Sequence, residues 1–160
     1  MTSTGNRALV DRYYEDLWNA GNVAAADEIL SSTFTFYPPD APEGLRGRAT
    51  YTAYVELHRR AFPDLRITVM DVLAEGDRVA VQWATQGTHH GAFGSVMPTG
   101  AEVIVRGMDL VHIAGGRIVA LHSFFDLLTV VQQLRAHPMQ GSTSAPGMVG
   151  PRSPRRSRRE

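Results

Sequence analysis

Between Arg7 and Asn19 the apolar residues Leu9, Val10, Tyr13, Tyr14, Leu17 and Trp18 recur at the spacing of one helix face, while Asp11, Arg12, Glu15 and Asp16 fall on the other. This pattern predicts a first helix, ended by Gly21-Asn22. Val23 to Leu30, with three successive alanines, reads as a second short helix, and Thr33 to Tyr37 alternates as a strand does. Pro38, Pro39 and Pro42 enforce an irregular loop. A third helix is expected from about Ala49 to Phe62, burying some of Tyr51, Tyr54, Val55, His58 and Phe62 and stopping before Pro63.

From Leu65 the period changes to that of strands. Leu65 to Glu75 and Arg78 to Thr88 flank Gly76-Asp77, and Glu102 to Ala114 and Arg117 to Phe125 flank Gly115-Gly116, so two tight hairpins are predicted. Asp126 to Arg135 can form a short closing helix. Helices first and a meandering antiparallel sheet later define an α+β domain with helices over one sheet face. Beyond His137 glycine, proline, serine and arginine dominate, so residues 1–137 are expected to form the domain and 138–160 a disordered tail.

The second turn sets an expected register. A two-residue turn at Gly115-Gly116 pairs Ala114 with Arg117 and places Asp109 opposite His122. Val103, Val105, Gly107, Asp109, Val111 and Ile113 then share a mostly apolar interior face with Ile118, Ala120, His122, Phe124 and Asp126. Val79, Val81, Trp83, Thr85, Gly87 and His89 join them if His89 and Ala101 are neighbours. The other face carries Ile104, Met108, Leu110, Leu121 and Phe125 among polar residues. It is apolar enough to suggest a homodimer through the outer sheet face.

Composition narrows the chemistry. The chain has 160 residues, 43% of them hydrophobic, and no cysteine, which fits one domain and excludes disulfides, thiolate metal sites and a cysteine nucleophile. All 16 basic residues are arginine and balance 16 acidic ones, but Arg152, Arg155, Arg156, Arg158 and Arg159 are concentrated at the end. The zero net charge is thus an acidic body plus a basic tail. An acidic body argues against nucleic-acid binding, except through that tail. The polar start and the absence of a long apolar run predict no signal peptide, no membrane partner and a cytoplasmic location. His89 and His90 are adjacent in a predicted strand and point to opposite faces, and no helical histidine pair appears, so no metal is expected.

The interior face therefore offers carboxylate and imidazole. A buried carboxylate is costly unless paired or protonated, and desolvation raises its pKa toward neutrality, where it suits proton transfer. Asp109, His122, Asp126 and His89 are the candidates. The plainer reading of Asp126 is an N-cap of the last helix, and of His89 a cap on the turn that follows it.

The order of several short motifs resembles the SnoaL-like polyketide cyclases, within the nuclear-transport-factor-2-like superfamily. They are Tyr13-Tyr14-Glu15-Asp16-Leu17-Trp18-Asn19-Ala20-Gly21, Glu43-Gly44-Leu45-Arg46-Gly47, Phe62-Pro63-Asp64-Leu65 and Glu75-Gly76-Asp77-Arg78-Val79. Gly87-Thr88-His89-His90-Gly91, Met97-Pro98-Thr99-Gly100, Gly115-Gly116-Arg117-Ile118-Val119 and finally Asp126 with Gln133-Leu134 complete the series. The resemblance implies a curved antiparallel sheet wrapped by three N-terminal helices into a cone with an internal cavity. It also implies intramolecular aldol ring closure of a polyketide-like or β-keto substrate, without cofactor, with an aspartate as acid/base. The family's late aspartate falls on Asp126, and the tryptophan common four residues earlier is His122 here.

On this reading Asp126 removes a proton next to a carbonyl, His89 or His122 hydrogen-bonds the enolate, and Asp109 orients His122. Trp83, Tyr14, Phe36 and Phe124 supply the substrate-binding walls for a small hydrophobic carbonyl compound. Dehydration, isomerisation or epoxide opening on the same fold is the alternative, as is a non-catalytic small-molecule-binding dimerisation module.

Overall fold

A computed structural model describes residues 3–136. Helix α1, Ser3–Arg12, runs directly into a wider π-helical stretch, Tyr13–Asn19. The predicted stripe is the one that packs inward: Leu9, Val10, Tyr13, Tyr14, Leu17 and Trp18 are all buried. Asn19 fastens the end of this segment to the sheet, its amide donating to the Ile67 carbonyl (2.9 Å) and accepting from the Ile67 N–H (2.7 Å). A 3₁₀ turn, Val23–Ala25, leads into the four-residue α2, Ala26–Ile29. Strands β1, Leu30–Tyr37, and β2, Leu45–Arg46, precede α3, Arg48–Ala61. The remaining elements are β3 (Arg66–Glu75), β4 (Arg78–Thr88), β5 (Glu102–Ala114), β6 (Arg117–Phe125) and α4 (Leu127–Arg135).

The six strands lie in the order β2-β1-β6-β5-β4-β3. Two expectations are corrected here. The sheet is mixed and not antiparallel, because β1 pairs with β6 in parallel, Phe36 beside Leu121 and Tyr37 beside His122. It is also open: β2 and β3 are its edges and do not pair, so the strands do not close into a cone, and the space under the helices is an open pocket and not an enclosed cavity. Among the described residues the expected closing helix forms as α4, which packs on β5. β6 stops pairing with β5 at Phe125 beside Gly107, and Gln133 of α4 takes over the vacated edge, accepting from the Ile104 N–H (2.7 Å) and donating to its carbonyl (2.8 Å). The expected tail, 138–160, lies outside the described residues.

Both hairpins form at the predicted turns, and Gly115 and Gly116 take positive φ (56° and 76°), as a two-residue turn that follows strand twist requires. Ala114 pairs with Arg117 and Ile113 with Ile118, but His112 then pairs with Ala120. Val119 is thus an extra residue, a β-bulge, and every later side chain of β6 changes face. Leu121, Ser123 and Phe125 turn inward; Ala120, His122 and Phe124 turn outward. The β4 and β5 faces are as predicted, with Val79, Val81, Trp83, Val103, Val105, Asp109, Val111 and Ile113 buried. The outer face leaves Ile104, Met108 and Phe124 about half exposed.

Candidate active site

The pocket has a volume of about 360 Å³ and lies between the inner face of β4–β6 and the helices. Its walls are mainly aromatic. Tyr13, Tyr14 and Trp18 come from the π-helical stretch, Phe36 from β1, Tyr51, Tyr54 and His58 from α3, and Trp83 from β4. Phe93, from the loop joining β4 and β5, and Leu127 and Val130 of α4 complete the rim. The π-helical geometry, which adds a residue to the hydrogen-bonded turn, accommodates Tyr13, Tyr14, Leu17 and Trp18 on one buried side.

Asp109 is the one buried carboxylate among the described residues, 5% exposed. Tyr14 Oη donates to its Oδ2 and Ser123 Oγ to its Oδ1, each at 2.6 Å. Burial pushes the carboxyl pKa up, and the bonds from Ser123 and Tyr14 oppose that only in part. The group therefore keeps its proton to a higher pH than a surface aspartate does. The Trp83 indole N–H is buried nearby without a hydrogen-bond partner of ordinary geometry, yet close enough to favour the ionised carboxyl. Behind this group the hydroxyls of Tyr13 and Tyr51 share a short hydrogen bond, and Trp18 Nε1 donates to Tyr51 Oη (3.1 Å). Burial holds all three tyrosines, Tyr13, Tyr14 and Tyr51, far above the ordinary phenol pKa, so they stay protonated donors.

Of the residues expected at the site, Asp109, Trp83, Tyr14 and Phe36 converge on the pocket. The other four do not. Asp126 is exposed and caps α4, accepting from Thr129 N (3.1 Å) and Thr129 Oγ1 (2.6 Å), which lower its pKa. His122 faces outward because of the bulge, stacked on Tyr37 with ring centroids 4.3 Å apart, and Asp109 cannot orient it. Phe124 shares that face and is 60% exposed. His89 points inward as predicted, its N–H bonded to the Ala101 carbonyl, but does not reach the pocket. It is wholly buried behind Phe62, accepting from the Thr99 N–H (3.2 Å), and burial lowers its pKa.

Sequence reasoning missed Ser123, which only the bulge brings beneath Asp109. It also read Tyr51, Tyr54 and His58, spaced three and four apart on α3, as core. That stripe was a usable signal, since three polar-tipped rings on one buried face need partners or a ligand.

The model of the SnoaL-like polyketide cyclase family matches residues 8–134. No match was found among curated protein sequences. Among solved structures, a candidate SnoaL-like polyketide cyclase from Jannaschia sp. CCS1 is 29% identical with a TM-score of 0.78, covering 84% of this chain and 94% of that one. A candidate polyketide cyclase from Acidithiobacillus ferrooxidans is 27% identical, with a TM-score of 0.75 and coverages of 86% and 99%. AclR of Streptomyces galilaeus, a candidate hydroxylase, is 25% identical, with a TM-score of 0.73 and coverages of 86% and 85%. A family match over most of the length, and the same fold at these scores, make this chain a member of the SnoaL-like polyketide cyclases of the nuclear-transport-factor-2-like superfamily.

Proposed function

We propose that the protein is a cyclase that closes a ring in a small polyketide-like or β-keto substrate by acid/base catalysis, with Asp109 exchanging the proton at the reacting carbonyl. The observation that carries this reading is a single carboxyl sunk in an aromatic pocket, held by Tyr14 and Ser123 and pushed up in pKa by burial.

An intramolecular aldol closure asks for little else. A C–H next to one carbonyl gives up its proton, the resulting enolate carbon bonds to a second carbonyl carbon of the same molecule, and the alkoxide so formed takes up a proton. No electrons enter or leave. The aromatic walls hold the flexible chain folded, and proximity of the two ends supplies much of the rate. The hydroxyls of Tyr14 and Ser123 fix the carboxyl so that its proton is presented from one direction.

The test uses linear esters bearing two ketones on an aromatic ring, followed by mass spectrometry and NMR. Aldol addition conserves mass while one ketone carbon signal is lost. Asp109→Asn is expected to lower turnover by about 10²–10⁴-fold. Wild-type turnover in that variant overturns the assignment.

A further inference from the structure

His58 presents a free base to the same pocket. It sits on α3 and lines the wall beside Tyr54. Its Nδ1–H donates to the Tyr54 carbonyl one turn back (2.8 Å), which places the neutral ring's proton on Nδ1 and leaves the Nε2 lone pair bare. Nε2 makes no hydrogen bond among the described residues, and the ring lines the pocket wall.

Three rings fix the imidazole plane: Tyr54 at 4.1 Å, Phe93 at 4.9 Å and Trp18 at 5.9 Å between centroids. They come from α3, from the β4–β5 loop and from the π-helical stretch, so the ring is held from three sides. The ionisable groups that face it are few. Asp40, on the β1–β2 loop at the rim, favours the imidazolium, and Tyr54 stays a neutral phenol because burial raises its pKa. Burial outweighs Asp40 and the Tyr54 carbonyl, and the imidazole pKa lies below its ordinary value.

We propose that His58 is a second catalytic residue of the pocket, the base whose Nε2 takes the proton from the carbon next to the substrate carbonyl. Asp109, on the sheet side of the pocket, then delivers its carboxyl proton to the alkoxide. His58 ends the step as imidazolium and Asp109 as carboxylate, and one proton passed back through solvent restores both. The inference rests on the reading of Asp109 as the proton donor and divides the work between two groups whose surroundings push their affinities toward each other.

The test separates the two. The full chain is incubated in D₂O with 2-tetralone, a flat ketone with exchangeable α-hydrogens, and exchange is followed by proton NMR. His58→Gln is expected to slow catalysed exchange about 100-fold. The wild-type rate should fall as pH drops through the His58 pKa, a dependence absent from the variant. In His58→Ala, added imidazole should restore part of the rate. Equal exchange by wild type and His58→Gln, at whatever level, overturns the proposal. So does a His58→Ala variant that loses exchange and is not rescued, since that marks a structural role. Ring closure should be lost in Asp109→Asn, and loss of α-hydrogen exchange in that variant while His58→Gln exchanges at the wild-type rate makes Asp109 the base instead. Full ring closure in Asp109→Asn, with exchange still dependent on His58, overturns the Asp109 reading alone.

Discussion

Ser123 Oγ lies 2.6 Å from Asp109 Oδ1 because Val119 bulges out of β6 and turns Ser123, not His122, toward β5. One extra residue therefore decides what chemistry the pocket floor contains. With His122 opposite, Asp109 would have faced an imidazole. With Ser123 opposite and Tyr14 above, it faces only neutral hydroxyls, and burial keeps its proton affinity high.

Removing either hydroxyl should raise that affinity further, because each bond favours the ionised form. Ser123→Ala and Tyr14→Phe are each expected to move the Asp109 titration upward by on the order of one pH unit, the equivalent of one charge-assisted hydrogen bond. Titration of the Asp109 carboxyl carbon by NMR reads this directly. A downward shift in either variant would show that the hydroxyl does not donate to the carboxylate.

Asp109 should also leave a mark on stability. Its folded pKa lies above the unfolded value near 3.8, so the folded chain holds the proton more tightly. Its contribution is most favourable below the unfolded pKa, and it is lost as pH rises through the folded pKa. Measured as the difference in Tm between wild type and Asp109→Asn, wild type should lose ground to the variant across that window and stay level above it. Asp126 has the opposite sign, and the difference measurement cancels it.

Asp126→Ala tests the capping role. Loss of the two Thr129 bonds should fray α4 and lower Tm modestly, with the largest effect at neutral pH. The depressed Asp126 pKa means that this stabilisation is present above the unfolded pKa and disappears as pH falls through the folded one. Turnover should stay within about threefold of wild type, as for an exposed residue away from the reacting atoms. A loss near that expected for Asp109→Asn would return Asp126 to the chemistry.

The elements were legible because their signals are local. The α1 stripe, the α3 stripe before Pro63 and the two glycine turns each occupy a few consecutive residues; α3 and the turns appear within a residue of the expected bounds, while α1 begins at Ser3, ahead of the expected Arg7. The parallel pairing of β1 with β6 was not legible, since Phe36 and Leu121 meet across most of the domain with no turn to specify it. Asp109 could be placed on the inner face by alternation alone, but its partners could not. A bulge at Val119 carries no glycine or proline to betray it, and the alternation that placed Asp109 correctly misplaced His122, Phe124 and Asp126 together.

Gly107 should prove intolerant of any side chain. It sits beside Trp83 across β4 and β5, and the indole lies over it: a Cβ there would come within 2.5 Å of Trp83 Cζ2 and 2.7 Å of the Phe124 carbonyl oxygen. The carbonyl belongs to the backbone of the neighbouring strand, so both that strand and the ring must shift. Trp83 is nearly buried, packs against Phe125 at 6.0 Å and forms a wall of the pocket beside Asp109. Gly107→Ala is therefore expected to cost about 1–3 kcal/mol, the usual penalty for overpacking a filled site. It should also shift the indole N–H resonance of Trp83 and weaken binding of flat ketones such as 2-tetralone. An unchanged Tm with an unchanged Trp83 resonance would mean that the indole does not rest on Gly107.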